Sequence, residues 1–360
     1  MLARPDGDAV AAAGLLARIR TALGCPFQVS VPSTPVERER RAAESQGVTI
    51  ALGPTDAADT VVDPVEGSVA RAAWVLGRSL STAPDPILAA AGIVAAGGDP
   101  GGGDGPLAGD SGVARRPGIA IPTADVADGL AHTALVYADG WDDPETVAVS
   151  LDEHGLAATA PEDDGARKRL ASFVAMSVAG DPDATPPAGT AVERFLRPHV
   201  IDGPVATVGG YADVLDAGVT TDPGAVVALA LGRDGEAIRE SALDAWRRAG
   251  RAARTAVQTG ERSRYSGLEV LRLPEAGAGA GAAPRLVARL LLSYRAREPA
   301  VLAIGDGRAV AVPVASDGAG DATRLAATAA DGTASVTDGY ATATFDGTAE
   351  EFVAAFREAI

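Results

Sequence analysis

The sequence predicts two α/β domains, and three observations support this fold class. The 360 residues suffice for two or three domains of ordinary size, and 47% of them are hydrophobic. Short apolar runs alternate with helix-length segments in the first hundred residues, and the alternation returns from residue 226. Alternating strands and helices form parallel sheets. We expect a first domain in residues 1–200, a connector in 201–225 and a smaller α/β domain in 226–360.

The first hundred residues contain three short strand patterns between helices. A run of small apolar residues predicts a first helix that ends at Gly24, and the strand patterns are apolar runs bounded by turn residues. The Gly- and Asp-rich segment Gly97–Gly112 predicts a loop. The predicted elements are helix 9–23, strand Phe27–Val31, strand Val48–Leu52, strand Thr60–Asp63, helix Ser68–Leu80 and helix Pro86–Ala96.

A mixed middle region separates this pattern from the second one. Its two predicted helices are Ala166–Val178 and Gly189–Leu196. The second pattern begins with an apolar run that we interpret as a strand, followed by a long amphipathic helix. Its predicted elements are strand Val226–Leu231, helix Ala237–Gln258, strand Leu268–Leu273, helix Arg285–Ser293, strands Ala300–Gly305, Ala309–Val314 and Tyr340–Phe345, and helix Ala349–Ala359.

The charge balance is strongly acidic. Asp and Glu number 48 against 31 Lys and Arg, which gives a net charge of −17, and Lys168 is the only lysine. This composition indicates a halophilic protein of haloarchaeal or similar origin. In molar salt the screening length falls to about 3 Å, so the repulsion between surface carboxylates is removed. All proteins of such a cell would be acidic. The net charge therefore does not exclude nucleic acid as a partner.

Cysteine content and hydropathy argue against a cysteine-rich protein and against a membrane-spanning one. Cys25 is the single cysteine, which excludes an intramolecular disulfide framework and a cysteine-rich zinc module. No apolar stretch reaches the roughly 18 residues that a transmembrane helix needs, and the first residues do not form a signal peptide. We expect a cytoplasmic protein that does not bind membranes.

Four aspartates follow predicted strands or helices and are candidate metal ligands. Asp6 and Asp8 lie one residue apart before the first helix, Asp63 ends a strand, and Asp99 follows an apolar helix. At the carboxyl edge of a parallel sheet they could hold one or two divalent cations for phosphoester hydrolysis, with Asp6 and Asp8 at the catalytic centre. Alternatively, the first pair caps a helix and the others are solvated surface residues.

Other catalytic motifs are absent or weak. The segment Gly277–Ala282 has the wrong spacing for a dinucleotide-binding loop and is interpreted as low-complexity chain. No phosphate-binding loop precedes Lys168. The histidines His132, His154 and His199 lie far apart without a nucleophile motif, so we interpret them as structural or surface residues.

Residues 246–297 are rich in arginine, which is unusual in a chain of net charge −17. The spacing of four of these arginines places them on one face of the long predicted helix, where they could contact phosphates or an acidic partner. The alternative is that they form salt bridges within the fold. The four residues are Arg247, Arg248, Arg251 and Arg254.

Taken in order, these features resemble the DHH phosphoesterase superfamily, and within it the archaeal RecJ-like proteins related to single-stranded-DNA exonucleases. The resemblance rests on Asp6-Gly7-Asp8 before an Ala-rich helix, a strand ending in Asp63, the segment EGSVARAAWVLGRSL, and an apolar helix followed by Asp99. The runs VARLLLSYRAREPAVLAIGDGRAVAV and DGYATATFDGTAEEFVAAFREAI resemble the DHH-associated C-terminal domain. The resemblance implies a parallel-sheet DHH-like domain and a smaller C-terminal α/β domain.

The chain departs from the family pattern at several positions. Arg4 stands where the family has histidine, and Gly53-Pro54 replaces the aspartate of the second motif. Only Asp63 remains of the Asp-His-His signature. The Gly-Gly-His motif, which binds substrate in the family, appears as Asp338-Gly339-Tyr340. Loss of ligands weakens a two-metal site, because such a site depends on ligand number and geometry.

The resemblance implies a manganese or magnesium site, weakened or lost, at Asp6, Asp8, Asp63 and Asp99. It also implies nucleic-acid contacts at Arg4, Gly339 and Tyr340, although Arg4 could instead replace a metal ligand. Three functions stay open: a single-stranded nucleic-acid-binding exonuclease homologue of replication or repair with weakened or lost activity, an inactive scaffold of the archaeal replicative helicase with GINS-type partners, and a small-nucleotide phosphatase.

Overall fold

A small parallel sheet lies at the start of the chain. The computed structural model describes residues 1–55, 57–102, 105–108, 113, 115–159, 163–233, 235–314 and 318–360. In the described residues the first sheet has the order β1-β2-β3, and both pairs are parallel. Leu2 lies opposite Ala51, and Ile50 lies opposite Thr60. The strands are β1 (Leu2–Ala3), β2 (Ile50–Leu52) and β3 (Thr60–Val62).

Helices surround this sheet and form most of the main core. Helix α1 is apolar on nearly all sides because it is enclosed by α3, α4, α9 and α10, and its residues from Gly7 to Ala17 are all buried. The helices are α1 (Gly7–Ala22), α2 (Pro35–Ala43), α3 (Val69–Ser79), α4 (Pro86–Ala95), α5 (Val126–His132), α6 (Pro144–Glu153), α7 (Asp164–Ala179), α8 (Pro187–Phe195), α9 (Val208–Gly218), α10 (Pro223–Ala230) and α11 (Glu236–Thr259).

The C-terminal part is built on a second, mixed sheet. Over the described residues its strand order is β4-β5-β6-β7-β9-β8, in which β5 and β6 are parallel and the other neighbours antiparallel. Helix α12 contacts β6 and β7, while α13 and α14 pack together over a separate core. The elements are β4 (Glu261–Tyr265), β5 (Leu268–Arg272), α12 (Pro284–Tyr294), β6 (Ala300–Gly305), β7 (Arg308–Pro313), α13 (Ala319–Ala329), β8 (Gly332–Val336), β9 (Ala341–Phe345) and α14 (Ala349–Ala359).

The predicted fold class is confirmed: a parallel sheet with helices is followed by a separate C-terminal sheet. The predicted strand Val226–Leu231 is wrong, because residues 226–230 lie in α10 and Leu231 is its C-cap; Asp222 caps the start of this helix and Pro223 begins it. A short apolar run fits a buried helix as well as a buried strand. The predicted strand Phe27–Val31 is reduced to an isolated bridge between Ser30 and Leu2.

The segment 201–225, predicted as a connector, contains α9, and every residue of that helix is buried. The domain boundaries at 200 and 226 remain a prediction. Strands β4 and β8 and helix α13 were not predicted, because their polar or alanine-rich sequences lack a strong hydrophobic period. Of the predicted loop Gly97–Gly112, residues 103–104 and 109–112 lie outside the described residues.

None of the helices within the described ranges combines the length and the apolarity that crossing a membrane requires.

The contact between α11 and α5 depends on glycine. A Cβ atom added at Gly250 would lie 1.7 Å from the carbonyl oxygen of His132, a backbone atom that cannot move alone. We expect Gly250→Ala to lower the free energy of unfolding by about 2–3 kcal/mol through overpacking. The control is Gly189→Ala in α8, where an added Cβ meets nothing within 4 Å. There we expect a gain of about 0.5–1 kcal/mol. Chemical denaturation measures both, and equal effects would contradict this packing.

Candidate functional site

The turn after β1 places two aspartates at the carboxyl end of the first sheet. Asp6 is the N-cap of α1, and its Oδ1 accepts a hydrogen bond from the Ala9 amide at 2.8 Å. Asp8 lies in the first turn of the same helix. Both aspartates are only 4% exposed. The sequence therefore predicted correctly that this dyad occupies a sheet edge, and it also predicted its capping role as the alternative.

Asp8 joins α1 to the N-terminus of α3. Its Oδ1 accepts hydrogen bonds from the Ser68 hydroxyl at 2.7 Å and the Ala70 amide at 2.9 Å, and its Oδ2 accepts one from the Val69 amide at 2.8 Å. Burial and the neighbouring negative charge of Asp6 raise the pKa of Asp8 to about 6, although these donors favour the charged form. Asp8 is thus a carboxylate held in place by the fold.

The guanidinium of Arg4 lies against both aspartates. Its Nε donates to Asp6 Oδ2 at 2.8 Å, and its Nη2 is 4.0 Å from Asp8 Oδ2. Burial alone would raise the pKa of Asp6, but the charges of Arg4 and Arg285 hold that pKa well below its usual range. Asp6 is therefore ionised and paired at neutral pH.

A second arginine covers the carboxyl end of β2. Arg38 comes from α2, is buried, and donates through Nη2 to the carbonyl oxygens of Leu52 at 3.0 Å and Gly53 at 2.9 Å. Its Nη1 donates to the Pro54 carbonyl oxygen at 3.0 Å. In open α/β sheets this edge is where ligands bind. Here two guanidinium groups, those of Arg4 and Arg38, occupy it.

Tyr340 reaches this site from the C-terminal sheet. Its hydroxyl donates to Asp6 Oδ2 at 2.7 Å, and the guanidinium of Arg285 lies 5.5 Å from its ring centroid. Burial and the charge of Asp6 raise the pKa of Tyr340, so the phenol keeps its proton and donates. Tyr340 was predicted to bind nucleic acid, and in this structure its hydroxyl group contacts Asp6.

Asp216 is a second junction, and the sequence did not reveal it. It is buried in the last turn of α9, and its Oδ1 accepts a hydrogen bond from the Gly7 amide at 2.8 Å. Arg285 donates to both of its carboxylate oxygens at 2.7 and 3.0 Å, and Arg289 donates to one at 2.6 Å. Asp216 therefore connects the start of α1 with α12.

A cavity of about 650 Å³ opens beside these residues. The described residues that line it include six arginines and four aspartates, the reverse of the chain-wide balance of 31 basic and 48 acidic residues. Arg115, Arg194 and Arg197 are exposed, and Arg115 donates to the carbonyl oxygen of Arg197 at 3.1 Å. The charged lining residues are Arg4, Arg115, Arg194, Arg197, Arg285, Arg289, Asp6, Asp8, Asp99 and Asp338, with His199 and Tyr340 beside them.

The four predicted metal ligands do not come together. Asp99 lines the cavity but is exposed, and Asp63 is exposed and outside the lining. Within the described ranges no group of three His, Cys, Asp or Glu side chains could hold a metal ion. All four carboxylate oxygens of Asp6 and Asp8 already accept hydrogen bonds, and Arg4 supplies the positive charge. The residues present therefore do not fit a divalent cation.

The predicted arginine face on α11 serves the fold. Arg254 is 3% exposed and donates to the carbonyl oxygens of Thr133 and Val136 at 2.9 and 2.6 Å, which leaves it unavailable to a phosphate. Arg247, Arg251 and Arg254 share the face of α11 that packs against α5, whereas Arg248 lies off that face. Arg247 pairs with Asp128 and Asp244, Arg251 contacts His132, Arg248 is exposed, and all four lie outside the cavity lining.

The cavity arginines were largely missed. Arg115, Arg194 and Arg197 are scattered through the middle region, and no periodic pattern marks them. Arg285 and Arg289 belong to the arginine-rich block, and their four-residue spacing on α12 could have indicated a shared helix face. Gly339 and Tyr340, predicted on the family resemblance, do line the cavity.

The raised pKa of Asp8 predicts a specific pH dependence. The native protein holds a proton on Asp8 up to about pH 6, whereas the unfolded chain loses it near the ordinary aspartate pKa of 3.8. The proton on Asp8 therefore adds to the free energy of unfolding below pH 4, and this contribution is lost as the pH rises from 4 to 6. Relative to Asp8→Asn, the wild type should lose up to about 1.4 kcal/mol of unfolding free energy per pH unit between pH 4 and 6. Denaturant titrations at constant salt measure this, and parallel pH profiles would refute it.

A comparison with one solved structure agrees with this architecture. The crystal structure of CDC45 from Entamoeba histolytica is similar with a TM-score of 0.55 and 9% identity over 99% of this chain and 94% of that one, which shows a shared fold. RecJ from Thermus thermophilus, in complex with Mn²⁺, is similar with a TM-score of 0.40 and 17% identity over 99% of this chain and half of that one.

Sequence comparison shows the family. Residues 260–358 match the family described as "Uncharacterized protein rrnAC1427, C-terminal domain". The "Uncharacterized protein rrnAC1427" of Haloarcula marismortui is 41% identical over 354 residues, which cover 98% of this chain and 91% of that protein. The chain therefore belongs to the family of the Haloarcula marismortui protein rrnAC1427.

Proposed function

We propose that this protein is a RecJ-like DHH-type protein of DNA replication or repair that binds single-stranded nucleic acid in the cavity between its domains and has no metal-dependent nuclease activity. One observation carries the proposal: the guanidinium of Arg4 lies against Asp6 and Asp8, the two carboxylates that would otherwise hold a catalytic metal.

The composition of the cavity supports binding to a polyanion. Arginine forms bidentate hydrogen bonds to phosphate oxygens, and such contacts position a nucleic-acid backbone. Arg115, Arg194 and Arg197 line the cavity and are exposed, while Arg285 and Arg289 line it from α12 and are paired with Asp216. In molar salt, charges act only over about 3 Å, so binding would depend on direct contacts of this kind. A chain of net charge −17 that gathers arginines in one cavity favours an anionic ligand.

The same geometry argues against hydrolysis. Metal-assisted phosphoester hydrolysis needs a cation that activates water and stabilises the developing charge. The Asp6 and Asp8 oxygens are engaged by protein donors, and Asp63 and Asp99 lie apart from them on the surface. A small-nucleotide phosphatase would need the same cation, so these contacts disfavour that alternative as well.

A second candidate function is an inactive scaffold in an archaeal replicative helicase assembly with GINS-type partners. The similarity to CDC45 over 99% of this chain favours it, since that comparison shows the fold of the two proteins to be shared. The two candidates differ in one measurable property, because a scaffold need not bind nucleic acid when it is isolated.

Nuclease activity is tested directly. We expect the purified protein in molar KCl with manganese to release no more nucleotide from labelled single-stranded DNA than the Asp6→Ala/Asp8→Ala variant does. Manganese-dependent release by the wild type that is lost in this variant would overturn the proposal.

Binding is tested by fluorescence anisotropy with short single-stranded oligonucleotides over a range of salt concentrations. We expect Arg194→Ala and Arg197→Ala each to weaken binding similarly for all sequences and to reduce the slope of log K against log salt by about 1. The matched control is Arg248→Ala, an exposed arginine on α11 outside the cavity lining, which should leave binding unchanged. Absence of wild-type binding would favour the scaffold, and equal effects of all three variants would place the ligand elsewhere.

A further inference from the structure

We propose that Arg4 is a built-in substitute for a divalent cation, and that through Asp6 it ties the C-terminal domain to the first domain. This inference concerns how the cavity is assembled, and it does not require the ligand to be a nucleic acid.

The first argument is charge. Asp6 and Asp8 are each 4% exposed and one residue apart, so two negative charges are removed from water side by side. Buried charges are costly unless a partner of opposite sign is present. Arg4, whose side chain is 12% exposed, is that partner, at 2.8 Å from Asp6 and 4.0 Å from Asp8. Its guanidinium thus supplies, close to both carboxylates, the positive charge that a shared cation would supply.

The second argument is space. Gly53 follows β2 with a φ angle of +87°, and a Cβ atom there would lie 2.0 Å from Arg4 Nη1 and 2.8 Å from Arg4 Cζ. The guanidinium therefore fills the volume that a side chain at position 53 would need. The two positions are complementary although they are distant in the sequence: a side chain at 53 and the observed placement of Arg4 exclude each other.

The third argument is the connection between domains. Asp6 Oδ2 accepts hydrogen bonds from both Arg4 Nε and the Tyr340 hydroxyl, at 2.8 and 2.7 Å, and Tyr340 is 334 residues away along the chain. A second cavity of about 780 Å³ shares Arg4, Arg285 and Tyr340 with the first, so this contact lies where the two cavities meet. We call Arg4, Asp6 and Tyr340 the interdomain clasp.

The first experiment separates a cation substitute from an ordinary ion pair. Thermal unfolding in molar KCl, without any nucleic acid, compares the wild type with Arg4→Ala at increasing manganese concentration. We expect Arg4→Ala to lower Tm by several degrees and manganese to restore part of that loss, while the Tm of the wild type does not change. An unchanged Tm in Arg4→Ala would overturn the proposal, as would an equal manganese response in the two proteins.

A double-mutant cycle tests the argument from space separately. Gly53→Ala should lower Tm, because the new Cβ displaces the guanidinium and the backbone has a positive φ. In the Arg4→Ala background the displacement no longer occurs, so Gly53→Ala should lower Tm less than it does in the wild type. Additive losses would mean that Gly53 serves only the backbone conformation, and this would overturn the argument from space.

The clasp itself is tested with Tyr340→Phe, which removes one hydroxyl. We expect faster hydrogen exchange in the Thr337–Tyr340 turn and a Tm a few degrees lower. The matched control is Tyr265→Phe in β4, whose ring lies under the guanidinium of Arg357 and whose hydroxyl has no hydrogen-bond partner among the described residues. Equal effects of the two variants, or no effect of Tyr340→Phe, would show that the clasp does not join the domains. None of these readouts depends on nucleic-acid binding, so they fail independently of the proposed function.

Discussion

The interdomain region depends on two carboxylates, one residue apart, that are buried just after β1. Asp6 is the N-cap of α1, and Asp8 accepts hydrogen bonds from the first amides of α3, so the two aspartates join the starts of these helices. Their charges need compensation nearby, since each side chain is only 4% exposed. Arg4 supplies that compensation, and Gly53 leaves room for it.

The same principle recurs at Asp216. This aspartate is buried at the end of α9, and it is compensated by Arg285 and Arg289 from α12. Asp216 also accepts a hydrogen bond from the Gly7 amide. The charge cluster around Asp216 and the cluster around Asp6 and Asp8 therefore meet at the N-terminus of α1. The start of α1 is therefore linked through these two aspartates to α9, α12 and the Tyr340 turn.

Arginine performs three different tasks in this protein. Arg38 and Arg254 are buried and satisfy carbonyl oxygens at the ends of strands and loops. Arg4 and Arg285 neutralise buried aspartates, and Arg194 and Arg197 remain at the cavity surface. Lysine has neither the planar fork nor the five donors that the buried positions use. A chain with a single lysine thus has structural as well as electrostatic reasons for using arginine.

Local patterns were enough to predict much of the architecture. The strand Ala300–Gly305 and the helix Ala349–Ala359 have the predicted bounds, and β2 and β3 lie within predicted strands, because hydrophobic periodicity and capping act over a few residues. The placement of Asp6 and Asp8 at a sheet edge followed from the same local signals. Partners could not be predicted in this way. Whether VVALAL forms a strand or the end of a helix, whether Arg254 faces solvent, and which groups neutralise Asp6 depend on segments that meet only after folding. Tyr340 lies 334 residues from Asp6, and no local preference of the backbone extends over such a separation.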